Sequence, residues 1–452
     1  MVQSQKQSGG KPSFLRRKFR AMAKSLPLIL LVAFGLRVGF TWNYVGNHSH
    51  QALSVIPFMF ESADVAVSIA RGHGFANPFR VPTGPTAWMT PVYPALLAGV
   101  FRIFGTYTFY SYLAAAGLNI LFATLTCIPI FFAGKRIAGS GLGAGGAWLW
   151  AIFPNAILLT YESMWDACLS ALLAAIILWA TLALSESSRP RDWIGYGLLW
   201  GVTLMTNPTL GSLLPLLLIW LAYRARKQHF SWIALPTIAL GVVILCCVPW
   251  TVRNYAVFHR FVPLRSVFGL QLWLGNNPQA SPPWLGTLHP INDSAERDRY
   301  VEMGEMDYMR VKQREAIRYI ETHPRREAWL AGQRFASIWS GGTPTPVHDF
   351  EANDSLWFRY VLLFNILSGI GALLGIVTLA AQCSIYAFPL AAFPIVFPCA
   401  YYATIALPRY GLPMEPAVLL LAAIAISGAW TKRDSSLDSL GTLKGKSEAF
   451  AG

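Results

Sequence analysis

Long apolar runs separated by short polar loops fill most of the 452-residue chain. Most of these runs contain roughly 17–25 residues, the length that an α-helix needs to cross a hydrocarbon core of about 30 Å. The pattern therefore predicts an all-α polytopic membrane protein with about ten spans. The predicted spans are residues 25–45, 108–133, 141–159 and 163–184, two short helices within 193–223, and then 232–252, 355–381, 385–405 and 412–430.

The run at 193–223 is too short for two full crossings, because each half would be only about 22 Å long. Asn207-Pro208 divides this run and predicts a hairpin of two short helices that turns there. Irregular backbone at that depth is tolerated only where it is buried in protein or lines a cavity. The hairpin is therefore expected beside an internal cavity or a tightly packed core.

Basic residues orient the predicted spans. Much of the net charge of +14 lies in the N-terminal arm and in short loops such as GKRIAG, SRPRD and RARK, which the positive-inside rule places in the cytoplasm. Charged residues make up only 13% of the chain against 54% apolar, whereas a soluble domain carries about 25% charged residues. A soluble protein is thus excluded, and the charge indicates membrane lipid and not nucleic acid as the partner.

The same spans divide the chain into five parts. A basic cytoplasmic arm is predicted over residues 1–24, and its apolar continuation lacks a small-residue cleavage pattern, which favours an uncleaved first span over a signal peptide. The other parts are a transmembrane module (25–252) with a first outer loop (46–107), a small and mostly helical extracytoplasmic segment (253–354), C-terminal transmembrane helices (355–430) and a cytoplasmic tail (431–452).

The stretch ESADVAVSIARGHGF in the first outer loop places a carboxylate, Asp64, at the start of a short helix. Ser62 is a suitable N-cap, and a carboxylate in the first turn is stabilised by the helix dipole. Asp64, Ser68 and Arg71 share one face, which predicts an amphipathic helix lying at the membrane interface. Asp64 can accordingly be a catalytic group or a residue that only supports the helix start.

Other charged and polar candidates recur on the predicted outer side. They are Arg37 inside the first span, Glu162 and Asp166 where the third span meets the fourth, Arg253 and Asn254 at the end of the seventh, and Arg409 and Tyr410 before the last. Acids and arginines gathered at one depth predict a site for an anionic lipid headgroup. Simpler explanations remain open, since arginines can snorkel to headgroups and Glu162 can be a solvated loop acid.

Metal and redox sites have no clear signal in this sequence. The six cysteines all lie within apolar runs, and the histidines predicted outside have no ligand spacing. Carboxylates can still hold a divalent cation, so the sequence requires no cofactor and leaves the question of a metal open.

Several stretches, taken in order, resemble a known family. DVAVSIARGHGF, LTYESMWDACLSALLAA, PWTVRNYAVFHRF and LPRYGLPMEP look like the bacterial, family 39 type relatives of protein O-mannosyltransferases and aminoarabinose transferases. These are GT-C glycosyltransferases that use polyprenyl-phosphate sugars, and the resemblance spans about residues 31–423. It implies a GT-C transmembrane helix bundle in the plasma (inner) membrane, with a cytoplasmic N-terminus and an extracytoplasmic active site.

The resemblance also implies roles for individual residues. Asp64 matches the family's catalytic acid, and Glu162 matches the acid that opens the fourth span better than Asp166 does. Arg253 follows the P-W pair and Arg409-Tyr410 form the R-Y pair, so the resemblance places these residues on the donor phosphate, and Tyr93, in the P-x-Y-P stretch, near the site. Asn254 and Arg37 are further substrate-binding candidates from their positions alone, and Arg37 can equally snorkel to the outer headgroups. The chain departs from the mannosyltransferases at Val65, where they have a second acid.

An inverting sugar transfer suits these residue types. The acceptor hydroxyl attacks the anomeric carbon, arginines stabilise the departing phosphate, and an ionised aspartate, here Asp64, takes the proton. The sequence thus predicts a glycosyltransferase with a polyprenyl-phosphate-linked sugar donor and an unidentified acceptor, which is a glycan, a lipid or a protein. The alternatives are a lipid or solute transporter or flippase, a lipid-linked glycan polymerase or ligase, and a subunit without activity.

Overall fold

The computed structural model describes residues 24–281, 286–341 and 356–427, and these residues form helices and loops with no β-strand. The predicted cytoplasmic tail lies outside the described residues, as does the predicted basic arm apart from Lys24. The extracytoplasmic segment predicted over residues 253–354 is described in part.

Among the described residues, the first half of the chain forms nine α-helices. They are α1 (Leu26–Gly46), α2 (His50–Val55), α3 (Glu61–Ala70), α4 (Val92–Phe104), α5 (Phe109–Leu125), α6 (Cys127–Ala138), α7 (Ser140–Ala151), α8 (Pro154–Leu158) and α9 (Ala167–Leu184). The long loop between α3 and α4 carries residues that return in the site below.

The second half adds twelve more helices within the described residues. These are α10 (Pro190–Thr206), α11 (Leu214–Lys227), α12 (Ala234–Phe258), α13 (Phe268–Gly275), α14 (Ser294–Met303), α15 (Glu305–Thr322), α16 (Pro324–Trp339), α17 (Leu356–Ala381), α18 (Ala387–Val396), α19 (Cys399–Ala403), α20 (Pro408–Gly411) and α21 (Glu415–Ser427). Residues 286–341, which contain α14 to α16, are called the cap segment below.

The predicted count of about ten spans is too high for the described residues. Seven helical stretches are long and apolar enough to cross a membrane, or eight if the sharply bent pair formed by residues 50–58 and 61–70 is one span. The seven are Leu26–Gly46, Phe109–Ala138, Ala167–Leu184, Pro208–Lys227, Ala234–Phe258, Leu356–Ala381 and Pro408–Ser427.

Three predicted spans are absent from these seven, and prolines explain two of them; the third corresponds to Pro190–Thr206, a helix of 17 residues that ends at the Asn207-Pro208 break. The stretch predicted as the third span breaks after Ala151, and a new short helix starts at Pro154, which has no N–H to bond the preceding turn. The ninth predicted span is likewise divided into α18 and α19, with Pro394 inside α18 and Pro398 between them. These segments are apolar but too short or too bent to cross as straight helices.

The helix break predicted at Asn207-Pro208 is confirmed, but the prediction that both halves are too short to cross is wrong for the second half. Helix α10 ends at Thr206, and a 3-10 turn, Pro208–Leu213, leads into α11. The Asn207 side chain accepts a hydrogen bond from the Thr209 N–H (3.1 Å) and so caps the new turn. The second half then forms a continuous apolar stretch, Pro208–Lys227, that is long enough to span.

Two predicted span ends need correction. Helix α12 continues to Phe258, so Arg253 and Asn254 lie inside the helix and not after it. The last helical stretch begins at Pro408, so Arg409 and Tyr410 lie in its first turn instead of preceding it. Proline at the first helical position favours this earlier start.

Helix α3 also differs from its prediction. Phe60 and not Ser62 occupies the N-cap position, and the Ser62 hydroxyl donates to the Met164 carbonyl (3.4 Å). Asp64, Val65 and Ser68 are all buried, so the helix is packed on several sides and does not lie amphipathically on the membrane surface. The predicted stop is present, because Gly72 follows the helix with φ +83°.

Small residues allow the helices to approach closely. A Cβ at Gly143 would meet the Phe131 carbonyl oxygen of α6, and one at Gly375 would meet the Leu421 carbonyl oxygen of α21. Glycine at such contacts is the usual solution for packing membrane helices. Helix α21 is buried on nearly all sides, so it is a central helix that the others surround.

Candidate active site

A small, partly open cleft lies where several helices begin or end. Its wall is formed by the residue before α9, the residue after α10, the short helix α20 and the first turn of α4. The polar side chains in this wall include those of Tyr93, Asp166, Asn207, Arg265, Arg409 and Tyr410. Helix ends meeting at one place bring acidic, basic and hydroxyl groups from distant parts of the chain together.

Asp166 is the acid of the cleft. One of its carboxylate oxygens accepts a hydrogen bond from the Ser170 hydroxyl (2.9 Å), and the Asn207 amide in turn donates to that hydroxyl (3.4 Å). Burial raises the pKa of Asp166 to about 6, while Ser170 and the positive charges of Arg265 and Arg409 act in the opposite direction. The carboxyl group is therefore mainly ionised at neutral pH and becomes protonated in mildly acidic solution.

Arg409 presents a guanidinium group whose planar faces are covered by aromatic rings. The guanidinium carbon lies 4.3 Å from the centre of the Phe60 ring and 4.9 Å from that of Trp165. The buried Nε has no hydrogen-bond partner within the described residues. The rings orient this arginine without neutralising its charge, which leaves the charge available to an anion.

Arg265 supplies the second positive charge of the cleft. Its Nη2 donates to the Thr209 hydroxyl (2.9 Å), in the turn that starts at Pro208. Tyr401 and Tyr410 stack beside the two arginines with ring centres 4.8 Å apart. Two arginines at one cleft have the donors that a phosphate requires, since each guanidinium offers a rigid fork of N–H groups.

Of the candidates named from the sequence, four line the cleft: Tyr93, Asp166, Arg409 and Tyr410. The Tyr93 hydroxyl also donates to Asn119 Oδ1 (3.4 Å), which fixes its ring against α5. Their assignment to a substrate stays a prediction, but their positions agree with it.

Asp64 lies outside the cleft wall, in a cluster of its own. It accepts a hydrogen bond from the Tyr107 hydroxyl (2.5 Å) and lies 3.5 Å from Arg80 Nε, while its Oδ2 is buried without a partner within the described residues. Burial raises the pKa of Asp64 to about 7, against the lowering effects of Tyr107 and Arg80. Its catalytic role stays a prediction.

Both partners of Asp64 have strained backbones. Arg80 has φ 61° and Tyr107 has φ 53°, in the left-handed region that residues with a side chain seldom occupy. Strained residues often occur at functional positions, where surrounding contacts keep them in place. The strained backbone around Asp64 therefore suggests a functional role for this cluster, and the substitution Asp64→Asn tests that role below.

The other predicted residues are placed differently. Arg253 donates to the backbone carbonyls of Thr86 (2.7 Å) and Phe75 (2.8 Å), and Asn254 donates to the carbonyl of Val262 (3.0 Å). Both residues of α12 therefore hold neighbouring loops and do not line the cleft. A phosphate contact by Arg253 would require these two hydrogen bonds to break.

Arg37 and Glu162 also lie away from the cleft wall. Arg37 is fully buried and donates to the backbone carbonyls of Ala33, Trp150 and Ala151, while the Glu162 side chain is exposed. Of the two acids between the third and fourth predicted spans, the structure brings Asp166 and not Glu162 to the cleft.

Sequence reasoning missed Arg265 and gave Asp166 the lower rank. Asp166 could have been identified from the sequence, because it directly precedes the first residue of α9. A carboxylate at the N-terminus of a helix is stabilised by the helix dipole. Arg265 lies in the irregular stretch PLRS, which has no periodicity that could have identified it. Within the described residues, no three His, Cys, Asp or Glu side chains are grouped as a metal site would need.

Residues 87–252 match the family model described as dolichyl-phosphate-mannose-protein mannosyltransferase. This range includes Tyr93, Asp166 and Asn207 but not the two arginines of the cleft. The resemblance predicted from the sequence is thus confirmed. A search of curated proteins found no match.

Solved structures show the fold. The oligosaccharyltransferase AglB from Archaeoglobus fulgidus, in complex with an inhibitory peptide and a dolichol-phosphate, is 14% identical with a TM-score of 0.55, over 97% of this chain and 52% of that one. Its apo form gives 13% identity and a TM-score of 0.57, over 97% and 53%.

A lower TM-score, 0.37, is found for ArnT from Cupriavidus metallidurans bound to undecaprenyl phosphate, at 14% identity over 86% of this chain and 77% of that one. This chain spans about half the length of the AglB structures. The AglB matches confirm the predicted all-α GT-C membrane fold.

Proposed function

We propose that this protein is a membrane glycosyltransferase that moves a sugar from a polyprenyl-phosphate donor to an acceptor outside the cytoplasm. The observation that carries the proposal is the joint position of Asp166, Arg265 and Arg409 in one cleft at the ends of membrane helices. An acid and two cations in such a place suit a reaction in which an anionic lipid leaves and a hydroxyl loses its proton. The match to the mannosyltransferase family model supports the same reaction class.

The arginines are assigned to the lipid phosphate. As the bond between the sugar and the phosphate breaks, negative charge grows on the phosphate oxygens. Guanidinium groups already held beside them stabilise that charge without reorganising, because ring packing holds Arg409 and Thr209 holds Arg265. The AglB structure contains a dolichol-phosphate, a lipid of the class proposed for this chain.

Asp166 is assigned to the acceptor hydroxyl. When ionised it can take the proton as the oxygen attacks the anomeric carbon, and inversion follows from attack opposite the departing phosphate. Its position in the cleft wall makes it the better placed base, although Asp64 remains the base predicted from the sequence. Burial, which raises the pKa of the Asp166 carboxyl, also makes its carboxylate a stronger base.

Binding of undecaprenyl phosphate to the purified protein in detergent tests the donor assignment. Arg265→Gln and Arg409→Gln should each weaken binding by about tenfold or more, the effect of losing one charged hydrogen bond. Arg314→Gln, an exposed cap residue, is the matched control and should bind as the wild type does. Equal binding by all four proteins would contradict the assignment.

Sugar transfer from a panel of undecaprenyl-phosphate hexoses and pentoses to envelope acceptors tests the reaction and separates the two acids. Asp166→Asn should reduce transfer by about 100-fold or more, as expected for loss of a general base, with lipid binding retained. Asp64→Asn should reduce it by less than about tenfold, because Asn can still accept the Tyr107 hydrogen bond. The reverse order would support the base predicted from the sequence.

A lipid transporter is the second candidate, because the helix break at Asn207 lines the cleft as discontinuous helices do in transporters. Proteoliposomes without any acceptor distinguish the two functions. Movement of labelled undecaprenyl phosphate between leaflets, with no sugar transfer in any assay, would favour the transporter. Transfer without such movement would favour the enzyme.

A further inference from the structure

Helix α16 (Pro324–Trp339), the last helix of the cap segment, exposes charge near only one of its ends. Arg325 in its first turn is exposed, whereas Arg334 further along is buried. The residues exposed between 328 and 339 are Ala328, Trp329, Gly332, Gln333, Phe335 and Ala336. None of them is charged, and about half of the Trp329 and Phe335 side chains is exposed. A helix that faces water along its whole length would normally expose charged residues throughout.

The uncharged exposed residues lie on one face of the helix. Trp329, Gly332 and Ala336 follow the spacing i, i+3 and i+7, while Leu330 and Arg334 on the other side are buried. The preceding helix, α15, is different, because it exposes charged residues in each turn from the second onwards: Arg310, Arg314, Glu315, Arg318 and Glu321. The two neighbouring cap helices are therefore built for different surroundings.

The C-terminal end of α16 packs beside two membrane spans. A Cβ at Gly369 would lie 2.9 Å from the Trp339 ring, and one at Gly411 would lie 3.6 Å from Ile338. Gly411 belongs to the span Pro408–Ser427, and Gly369 is near the middle of α17, a helix of 26 residues. Because α17 is about 39 Å long, its middle lies inside a hydrocarbon core of about 30 Å. The end of α16 is therefore at membrane depth.

The apolar surface of α16 continues onto α17. The ring centres of Phe335 and Trp339 are 6.1 Å apart, and Trp339 in turn packs on Gly369. Ile366 and Ile370, one turn before and directly after Gly369, are exposed on the membrane span. Exposed apolar side chains at the middle of a span face lipid acyl chains. The exposed face of α16 thus borders a lipid-facing surface.

The other end of α16 has the residues that are usual at lipid headgroups. The guanidinium carbon of Arg326 lies 4.3 Å from the centre of the Trp329 ring, and Arg325 beside it is exposed. Tryptophan is enriched at the membrane interface, and arginine side chains extend to the headgroups from there. Ala336 is about 16 Å further along the helix axis than Arg325, which is close to the thickness of one hydrocarbon leaflet.

We propose that α16 is inserted in the lipid leaflet next to the cleft. The partner is the phospholipid leaflet itself: its phosphates meet the arginines of the first turn, and its acyl chains cover the face that contains Trp329 and Ala336. Arg334, on the opposite face, donates to the carbonyl of Tyr402 (2.8 Å), which directly follows the cleft residue Tyr401. The inserted helix therefore also holds the backbone beside the cleft. Membrane insertion of α16 does not depend on which reaction the cleft carries out.

Nitroxide labels at single cysteines, with the protein in phospholipid nanodiscs, test the insertion. The background keeps the two buried cysteines and replaces the other four with serine: Cys246, Cys247, Cys383 and Cys399. Gly332→Cys and Ala336→Cys place labels on the exposed face, and a Cβ at Gly332 would meet nothing within 4 Å. Oxygen concentrates among acyl chains, whereas the nickel complex of ethylenediamine diacetate stays in water. The ratio of oxygen to nickel collisions should therefore be several-fold higher at both labels than at a label in water.

Two controls set the limits of this ratio. Glu321→Cys, exposed on α15, is the water-facing control, and Leu367→Cys, exposed on the span α17, is the lipid-facing control. A ratio at Ala336→Cys like that at Leu367→Cys is the expected result, and a ratio like that at Glu321→Cys would overturn the proposal. Low collision rates with both reagents would mean that protein covers this face, a second copy if the spectrum shows dipolar broadening, and would also overturn it. Melting temperatures equal to that of the background protein exclude misfolding of the labelled variants.

Discussion

At the scale of single residues, the cleft is defined by opposite charges that are held close together by neighbours. Asp166 is fixed by Ser170, Arg409 by aromatic rings and Arg265 by Thr209. Burial and the two arginines have opposite effects on the pKa of Asp166, and the balance brings it to about 6. The ionised fraction of the proposed base is therefore sensitive to a change in either arginine.

Arg265→Gln should move the acid limb of the pH profile to higher pH. The base works only when ionised, so activity falls as pH drops through its pKa, near 6 in the wild type. Removing a neighbouring positive charge destabilises the carboxylate and raises that pKa, so activity is lost at a higher pH. The measurement is kcat/KM for sugar transfer from acidic to mildly alkaline pH. An acid limb that does not shift in Arg265→Gln would show that another group determines the pH profile. The control variant Arg314→Gln should have the same pH profile as the wild type.

At the scale of helices, Arg37 explains how a broken membrane helix is tolerated. Helix α7 ends at Ala151 because Pro154 has no N–H for the carbonyl of Trp150. Arg37 of α1 donates to that carbonyl (3.2 Å) and to the carbonyl of Ala151 (3.1 Å). The Phe153 N–H also donates to the Trp150 carbonyl (3.2 Å), whereas the Ala151 carbonyl is served by Arg37. A carbonyl left without a donor in the membrane interior is costly, so this arginine has a structural use.

Arg37→Met should lower the free energy of unfolding by about 3 kcal/mol, because several charged hydrogen bonds are lost at a buried position. Arg37→Lys should lose less, since one ammonium can still reach a carbonyl but cannot serve the whole set. Thermal unfolding in detergent measures the stabilities, which should decrease in the order wild type, Arg37→Lys, Arg37→Met. A Met variant of normal stability that no longer binds undecaprenyl phosphate would instead support the phosphate contact predicted from the sequence.

Glu305 joins the cap segment to the long loop before α4. Its carboxylate accepts four hydrogen bonds, from the hydroxyls of Thr86 (2.5 Å), Ser266 (2.5 Å) and Tyr300 (2.6 Å) and from the N–H of Ala87 (2.8 Å). Three separate segments therefore meet at one buried acid. Such a fully satisfied group fixes the loops that carry cleft residues at Met89 and Arg265.

Glu305→Gln should lower the free energy of unfolding by about 2 kcal/mol, because the amide nitrogen cannot accept and leaves buried donors unpaired. Glu302→Gln, an exposed acid on the neighbouring helix, is the matched control and should unfold as the wild type does. The midpoint of thermal unfolding and the protease sensitivity of the cap segment measure the effect. A normal midpoint in Glu305→Gln would show that the cap is held mainly by its apolar contacts.

The sequence could predict those features that depend on local pattern. Apolar length identified the long spans, and Asn207-Pro208 identified the helix break that lines the cleft. The apolar pattern continues across prolines that break helices, so the predicted number of spans was too high for the described residues. Arg253 and Arg409 look alike as arginines at span ends, yet one bonds loop carbonyls and the other faces the cleft. Only the tertiary packing distinguishes them, because the direction of a side chain depends on neighbours distant in sequence.

At the scale of the whole molecule, the site is assembled from segments spread over most of the chain. Residues from the first loop, the starts of α4 and α9, the helix break and α20 meet at one end of the bundle. The cap segment is attached to the same end through His289 and Glu305. If the basic loops mark the cytoplasmic side, this end lies outside the cytoplasm.

This orientation gives the last prediction, which is tested by labelling single cysteines in intact cells. The background replaces the two exposed native cysteines, Cys383 and Cys399, with serine. A cysteine at Glu321, exposed in the cap segment, should react with a membrane-impermeant maleimide, and one at Ser188, in the basic SRPRD loop, should react only after the membrane is opened. The physical reason is that lysine and arginine are retained in the cytoplasm during insertion, which fixes the direction of every later span. The opposite labelling pattern would place the cleft in the cytoplasm and would contradict transfer to an external acceptor.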